Sequence, residues 1–129
     1  MRVAIDINSV LPLYSRGWVS GIGRTTKELV EALDRIGNLP LDIVLYSQNT
    51  KGVNGDLLKT HFETRHIFAP HKSWCNKLIG KSHLRELATK YDLLHIPHNF
   101  EWVRRPDRTL VTMHDAMFFA RPDDTFDHE

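Results

Sequence analysis

Apolar residues in this chain fall into short runs separated by amphipathic or polar stretches. Arg2-Val3-Ala4-Ile5-Asp6-Ile7-Asn8 is rich in Val and Ile and predicts a first strand, with Asp6 and Asn8 as the polar residues nearest its C-terminal end. Val10 to Ser20 reads as a loop carrying Pro12, Gly17, Tyr14 and Trp18, long enough for a strand-to-helix connection to be a functional candidate. Ile22, Leu29, Val30, Leu33 and Ile36 then recur at helical spacing, and Gly37-Asn38 followed by Pro40 ends the helix. Leu41 to Ser47 predicts a second strand, Gln48 to Gly55 a polar loop and Asp56 to His61 a short helix. A third strand is predicted over Thr64 to Phe68, ended by Pro70. Ser73 is placed to cap a helix from Trp74 to Tyr91, with Gly80 as a potential break and Leu84, Leu87, Ala88 and Tyr91 as its stripe. Asp92 to Pro97 predicts a fourth strand and His98 to Arg108 a loop with Phe100, Trp102 and three arginines. Thr109 to Met113 predicts a fifth strand, which runs into His114-Asp115.

Strands alternating with helices predict an α/β, Rossmann-like parallel sheet with helices on both faces. Right-handed crossovers make 3-2-1-4-5 the simplest strand order. The winding then reverses between the first and fourth strands, and a ligand is expected beyond their C-terminal ends. Gly21 and Gly23, then His95, Pro97 and His98, then His114 and Asp115 all follow or end strands on that edge.

Composition narrows the classes. The 129 residues suit one domain or part of one, and 41% hydrophobic with 26% charged residues is ordinary for a globular chain. A net charge of +1 gives no global basic field for nucleic acid, so no nucleic-acid partner is expected. A lone cysteine, Cys75, excludes an intrachain disulfide and fits a cytoplasmic location. Met1-Arg2 passes straight into strand pattern, so no secretory leader is expected, and no apolar run reaches the roughly 18 residues of a membrane span.

The stretch from Ser20 through Gly21, Ile22, Gly23 and Arg24 joins strand to helix. Its glycines allow a tight turn and close approach of backbone to a ligand, and the helix start favours an anion. No third glycine follows Gly23 by three residues, so it is not the dinucleotide fingerprint; a simple turn is the other reading. The ring of His114 can donate to a substrate hydroxyl or move a proton, or it can cap a strand end. His95 belongs to the strand and reads as a packing residue, whereas His98 lies past the strand end and is expected to face the crevice. Strand alternation and Pro97 aim these two rings apart, which argues against a metal pair; no metal is expected. Lys77, Lys81 and Arg85 share a helical face, read as solvated or, alternatively, as a contact for anionic lipid.

With these pieces placed, the chain resembles the N-terminal domain of the GT-B type retaining glycosyltransferases, the large group 1 or family-4 class. The residues that carry the resemblance are Arg2-Val3-Ala4-Ile5-Asp6, Gly21-Ile22-Gly23-Arg24, Asp92 to His98, Val111 to Asp115, and Arg121-Pro122-Asp123. The resemblance implies transfer of a sugar from a nucleotide-sugar donor to a glycan or lipid-linked acceptor with retention, without a cofactor or metal. It implies catalytic roles for His114 and Asp115, and substrate binding by Gly21, Ile22, Gly23, Arg24, His98 and Asn99. It also implies that the loops at Tyr14 to Trp18 and Asn99 to Trp102 hold the acceptor; the expected location is cytoplasmic, at the inner face of the membrane if that acceptor is lipid-linked. The donor-binding half of such enzymes is not among these 129 residues. The expectation is therefore an incomplete N-terminal half of a GT-B fold, inactive alone and prone to self-association through Ala116 to Ala120 and an open fifth strand. The alternative is a non-catalytic, Rossmann-like module that binds a phosphate or a partner.

Overall fold

A computed structural model describes residues 1–48, 58–67, 90–98 and 105–114. In chain order these form β1 (Arg2–Asp6), a 3₁₀ turn (Asn8–Val10), α1 (Leu11–Arg16), α2 (Gly21–Ile36), β2 (Asp42–Gln48), β3 (Glu63–Ile67), β4 (Leu93–Ile96), a second 3₁₀ turn (Pro106–Arg108) and β5 (Thr109–Val111). The five strands make one sheet in the order β3-β2-β1-β4-β5, and each neighbouring pair is parallel. This is the α/β, Rossmann-like architecture, with its reversal of winding between β1 and β4.

Side chains of a strand alternate between the two faces of the sheet, and in a parallel sheet both faces are covered. On one face Val3, Ile5, Ile43 and Leu45 pack with Val30 of α2, Ile7, Val10 and Leu58. On the other, Ala4, Tyr46, Leu94 and Ile96 form a second core, with Tyr91 and Val111 against it. The predicted helix over Trp74 to Tyr91 falls mostly outside the described residues. Its end is corrected: Lys90 has φ +43°, which is not helical, and Tyr91 is not helical either.

Two other expectations are corrected. The stretch read as a loop from Val10 to Ser20 contains α1, whose Pro12 stands in the first helical turn and whose Gly17 closes it at φ +75°. Proline tolerates that first turn and glycine that left-handed cap, so both residues read as loop formers act as helix punctuation. Residues 58–61, assigned to a short helix, are not helical.

The predicted face of α2 is also rotated. Its buried residues are Gly23, Thr26 and Val30, while Ile36 is 66% exposed. A Cβ on Gly23 would lie 2.2 Å from the Ser9 carbonyl oxygen and 2.3 Å from Val19 Cγ2. The helix comes closest where it has no side chain, and that contact turns the 23–26–30 stripe inward.

Candidate functional site

β1 ends in Asp6, whose side chain is fully buried. A buried carboxylate must be hydrogen-bonded or paired. Its Oδ1 accepts the Asn8 backbone N–H at 2.8 Å, and its Oδ2 accepts the Tyr46 hydroxyl at 2.8 Å. His98 Nε2, arriving from beyond β4, lies 3.3 Å from the same Oδ2. One acid therefore joins the ends of β1, β2 and β4.

A second group forms around the Pro97 carbonyl, just past β4. His114 Nε2 lies 3.0 Å from that oxygen, and Thr26 Oγ1 of α2 lies 3.5 Å from it. Thr26 Oγ1 also donates to the Ile22 carbonyl at 3.0 Å and accepts the Ser9 hydroxyl at 2.9 Å. A carbonyl only accepts, so His114 Nε2 carries a proton, and in the neutral ring Nδ1 holds the lone pair. This bond is the strand-capping role that the sequence left open, and it assigns the tautomer.

The glycine stretch is built differently from the expected turn. Gly21, Ile22 and Gly23 are the first turn of α2 itself. Ser20 is the N-cap: its Oγ accepts the Gly23 N–H at 3.2 Å, and its carbonyl accepts the Arg24 N–H at 2.9 Å. Two of the amides expected to face a ligand are thus satisfied by the chain. Gly23 is buried against Ser9, whereas Gly21 and Arg24 are exposed. Close packing of helix on loop, rather than approach of a ligand, accounts for glycine at 23.

His95 points onto the α2 face of the sheet, since its register partner Ile5 does so. Its Nε2 lies 3.0 Å from Thr112 Oγ1. Burial holds the His95 ring below its ordinary pKa of 6.5. His95 and His98 engage different partners, as the alternation argument expected. Among the described residues no group of three His, Cys, Asp or Glu side chains could hold a metal ion.

Of the residues in the loop assigned to an acceptor, Tyr14 is 37% and Trp18 54% exposed. Desolvation raises the Tyr14 phenol above its ordinary value of 10.0, so its hydroxyl stays protonated at neutral pH. Asp115, Asn99, Cys75, the Lys77/Lys81/Arg85 face and Ala116 to Asp123 lie outside the described residues. Among the described residues no helix is long and apolar enough to cross a membrane.

The sequence reading missed Thr26, Ser9 and Tyr46 as members of this edge. Thr26 carried a signal: it stands four residues after Ile22 and four before Val30, a hydroxyl on an otherwise apolar stripe. Searched against family models, curated proteins and solved structures, the chain matches none.

Proposed function

We propose that the chain is the acceptor-side, N-terminal half of a retaining GT-B type glycosyltransferase that takes its sugar from a nucleotide-sugar donor. The observation that supports this reading best is the gathering around the Pro97 carbonyl. It brings α2, the end of β4 and His114 together at the reversal of winding, where open α/β sheets bind ligands. In this reading the exposed Gly21 and Arg24 at the start of α2 serve the donor, and His98, with Asn99 assigned by the resemblance, serves a glycan or lipid-linked acceptor. His114 and Asp115 stand at the transferred sugar. There the His114 ring can exchange a hydrogen bond with a sugar hydroxyl. Protein groups supply this chemistry without a metal.

The test is steady-state sugar transfer by a polypeptide carrying this domain with a donor-binding half. His114→Ala should lower kcat by about 10²-fold with KM nearly unchanged, the pattern of a bond that tightens at the transition state. Circular dichroism must show the variant folded. A folded variant with unchanged kcat would reduce His114 to a strand cap. The second reading, a non-catalytic module binding phosphate at the start of α2, has support in the exposed Gly21. No transfer by the unaltered polypeptide, together with phosphate binding that Gly21→Pro abolishes, would favour it.

A further inference from the structure

A separate cluster lies at the opposite end of β4 and β5. Lys90 and Tyr91 precede β4, Arg105 and Arg108 precede β5, and together they line a cavity of about 210 Å³. Four residues of β4 separate Tyr91's end from that of His98, roughly 13 Å at the usual rise of a strand. The cluster is therefore distinct from the edge described above, and its role is independent of the glycosyltransferase reading.

Its walls are fixed by the fold. Tyr91 packs against the core of Ala4, Tyr46, Leu94 and Ile96. The 3₁₀ turn that carries Arg108 is held by its N–H donating to the Arg105 carbonyl at 3.0 Å, and the Thr109 hydroxyl donates to the same oxygen at 2.7 Å. Lys90 is set by an uncommon left-handed backbone, φ +43°, which costs free energy in a residue with a Cβ.

Among the described residues, Asp107 is the acid that meets the charge of the two arginines. Asp107 Oδ2 lies 3.1 Å from Arg105 Nη2 but 3.8 Å from Arg108 Nε, the outer limit of an ion pair. Lys90 makes no ion pair among the described residues. The Arg105 guanidinium, hydrogen-bonded to Asp107, holds that carboxyl below its ordinary value, so it does not take a proton at neutral pH and leave. Lys90 and Arg108 thus line the cavity as the two cations least engaged by acids among the described residues.

The geometry points to a binding site for a small phosphate-bearing ligand between Lys90 and Arg108, walled by Tyr91 and Arg105. A guanidinium fork beside an ammonium suits a phosphate: the first binds two oxygens in plane, the second acts as a point charge. The volume is below the roughly 300 Å³ at which pockets for larger organic ligands begin. It therefore takes a phosphate with a small group attached rather than a nucleotide. Solvent-exposed charges are screened, so binding is weak and salt-sensitive.

The experiment is a titration of the ¹⁵N-labelled chain with sodium phosphate, followed by backbone amide shifts at low ionic strength. Sodium chloride at matched ionic strength is the reference. Saturable shifts centred on residues 90–92 and 105–109 are expected with phosphate and not with chloride. Lys90→Met with Arg108→Met should weaken binding about tenfold, as for the loss of two exposed charge contacts. His114→Ala should leave it unchanged. Glycerol phosphate and neutral vesicles doped with phosphatidic acid then separate a soluble source from a lipid headgroup; binding of either kind that the double variant loses supports the site. Equal shifts with chloride, or phosphate binding that survives in a folded double variant, would overturn it.

Discussion

The two ends of β1 solve one problem by opposite means. At its start, Arg2 gathers the beginnings of the neighbouring strands. Its N–H donates to Asp92 Oδ2 at 2.7 Å, and its guanidinium meets Glu63 at 2.9 Å and Asp42 at 3.3 Å. Asp42 and Glu63 are half exposed or more, so water competes for the carboxylates, although the Arg2 Nε between them is buried. At its end, Asp6 gathers Asn8, Tyr46 and His98 with no solvent exposure at all. The same sheet is pinned by one base in water and by one acid in the dry. The wet end is replaceable; the dry end forces each group into one geometry, which is what a site needs from its supports.

The largest effect should come from breaking the dry end. Asp6→Ala removes the carboxylate that accepts from the buried Tyr46 hydroxyl and from the Asn8 N–H. A loss of about 3–5 kcal/mol is expected, as when one partner of a buried pair is removed. Urea unfolding measures it. A loss below that of an exposed ion pair would mean that water reaches Asp6.

Next in size is the contact that seats α2 on this edge. Gly23→Ala drives a methyl into the Ser9 backbone, which cannot rotate away as a side chain can. Overpacking of this kind costs about 1–3 kcal/mol. At Gly21, two residues earlier, a Cβ would meet nothing within 4 Å, so Gly21→Ala should be neutral or stabilise by up to about 1 kcal/mol. Equal costs at the two glycines would contradict the packing account of Gly23.

At the wet end, Arg2→Met should cost about 1 kcal/mol or less at low salt. The difference from wild type should shrink further in 1 M salt, where the Debye length falls to about 3 Å. The Asp6→Ala difference should not shrink with it.

The contrast also explains what could be read in advance. Strand order followed from alternation of strand and helix patterns, because apolar runs such as Val3 to Ile5 and Ile43 to Leu45 admit few topologies once crossovers are right-handed. His98 and His114 were placed on the correct edge by the same logic. Their partners were not legible. The His114 contact is to a backbone carbonyl, which every residue has, and the Asp6 to Tyr46 bond spans 40 positions with no local trace. Gly23 showed the limit of motif reading: the same glycine that suits a phosphate turn also suits a helix pressed against a loop. Ile36 showed the limit of periodicity, since a helix keeps its spacing beyond the sheet it covers.

The smallest effect separates the two ends by pH. Burial lowers the pKa of His95 from 6.5, so the unfolded chain takes up its proton before the folded chain does. Its share of stability is complete above 6.5 and is lost as pH falls from there through the folded-state value. Glu63, at the start of β3, behaves likewise at lower pH. Hydrogen bonding by Arg65 lowers Glu63 from 4.5, so its contribution persists above 4.5 and is lost only as pH falls below that. A descent in melting temperature beginning near 6.5 therefore belongs to the β4 end, and one beginning near 4.5 to the strand starts. His95→Gln keeps a hydrogen-bonding group within reach of Thr112 but cannot titrate. Its melting temperature should lose the slope that wild type shows just below 6.5. Identical slopes in both proteins across the upper window would mean that His95 takes up its proton in the folded state as readily as in the unfolded one, and that the β4 end is as wet as the strand starts.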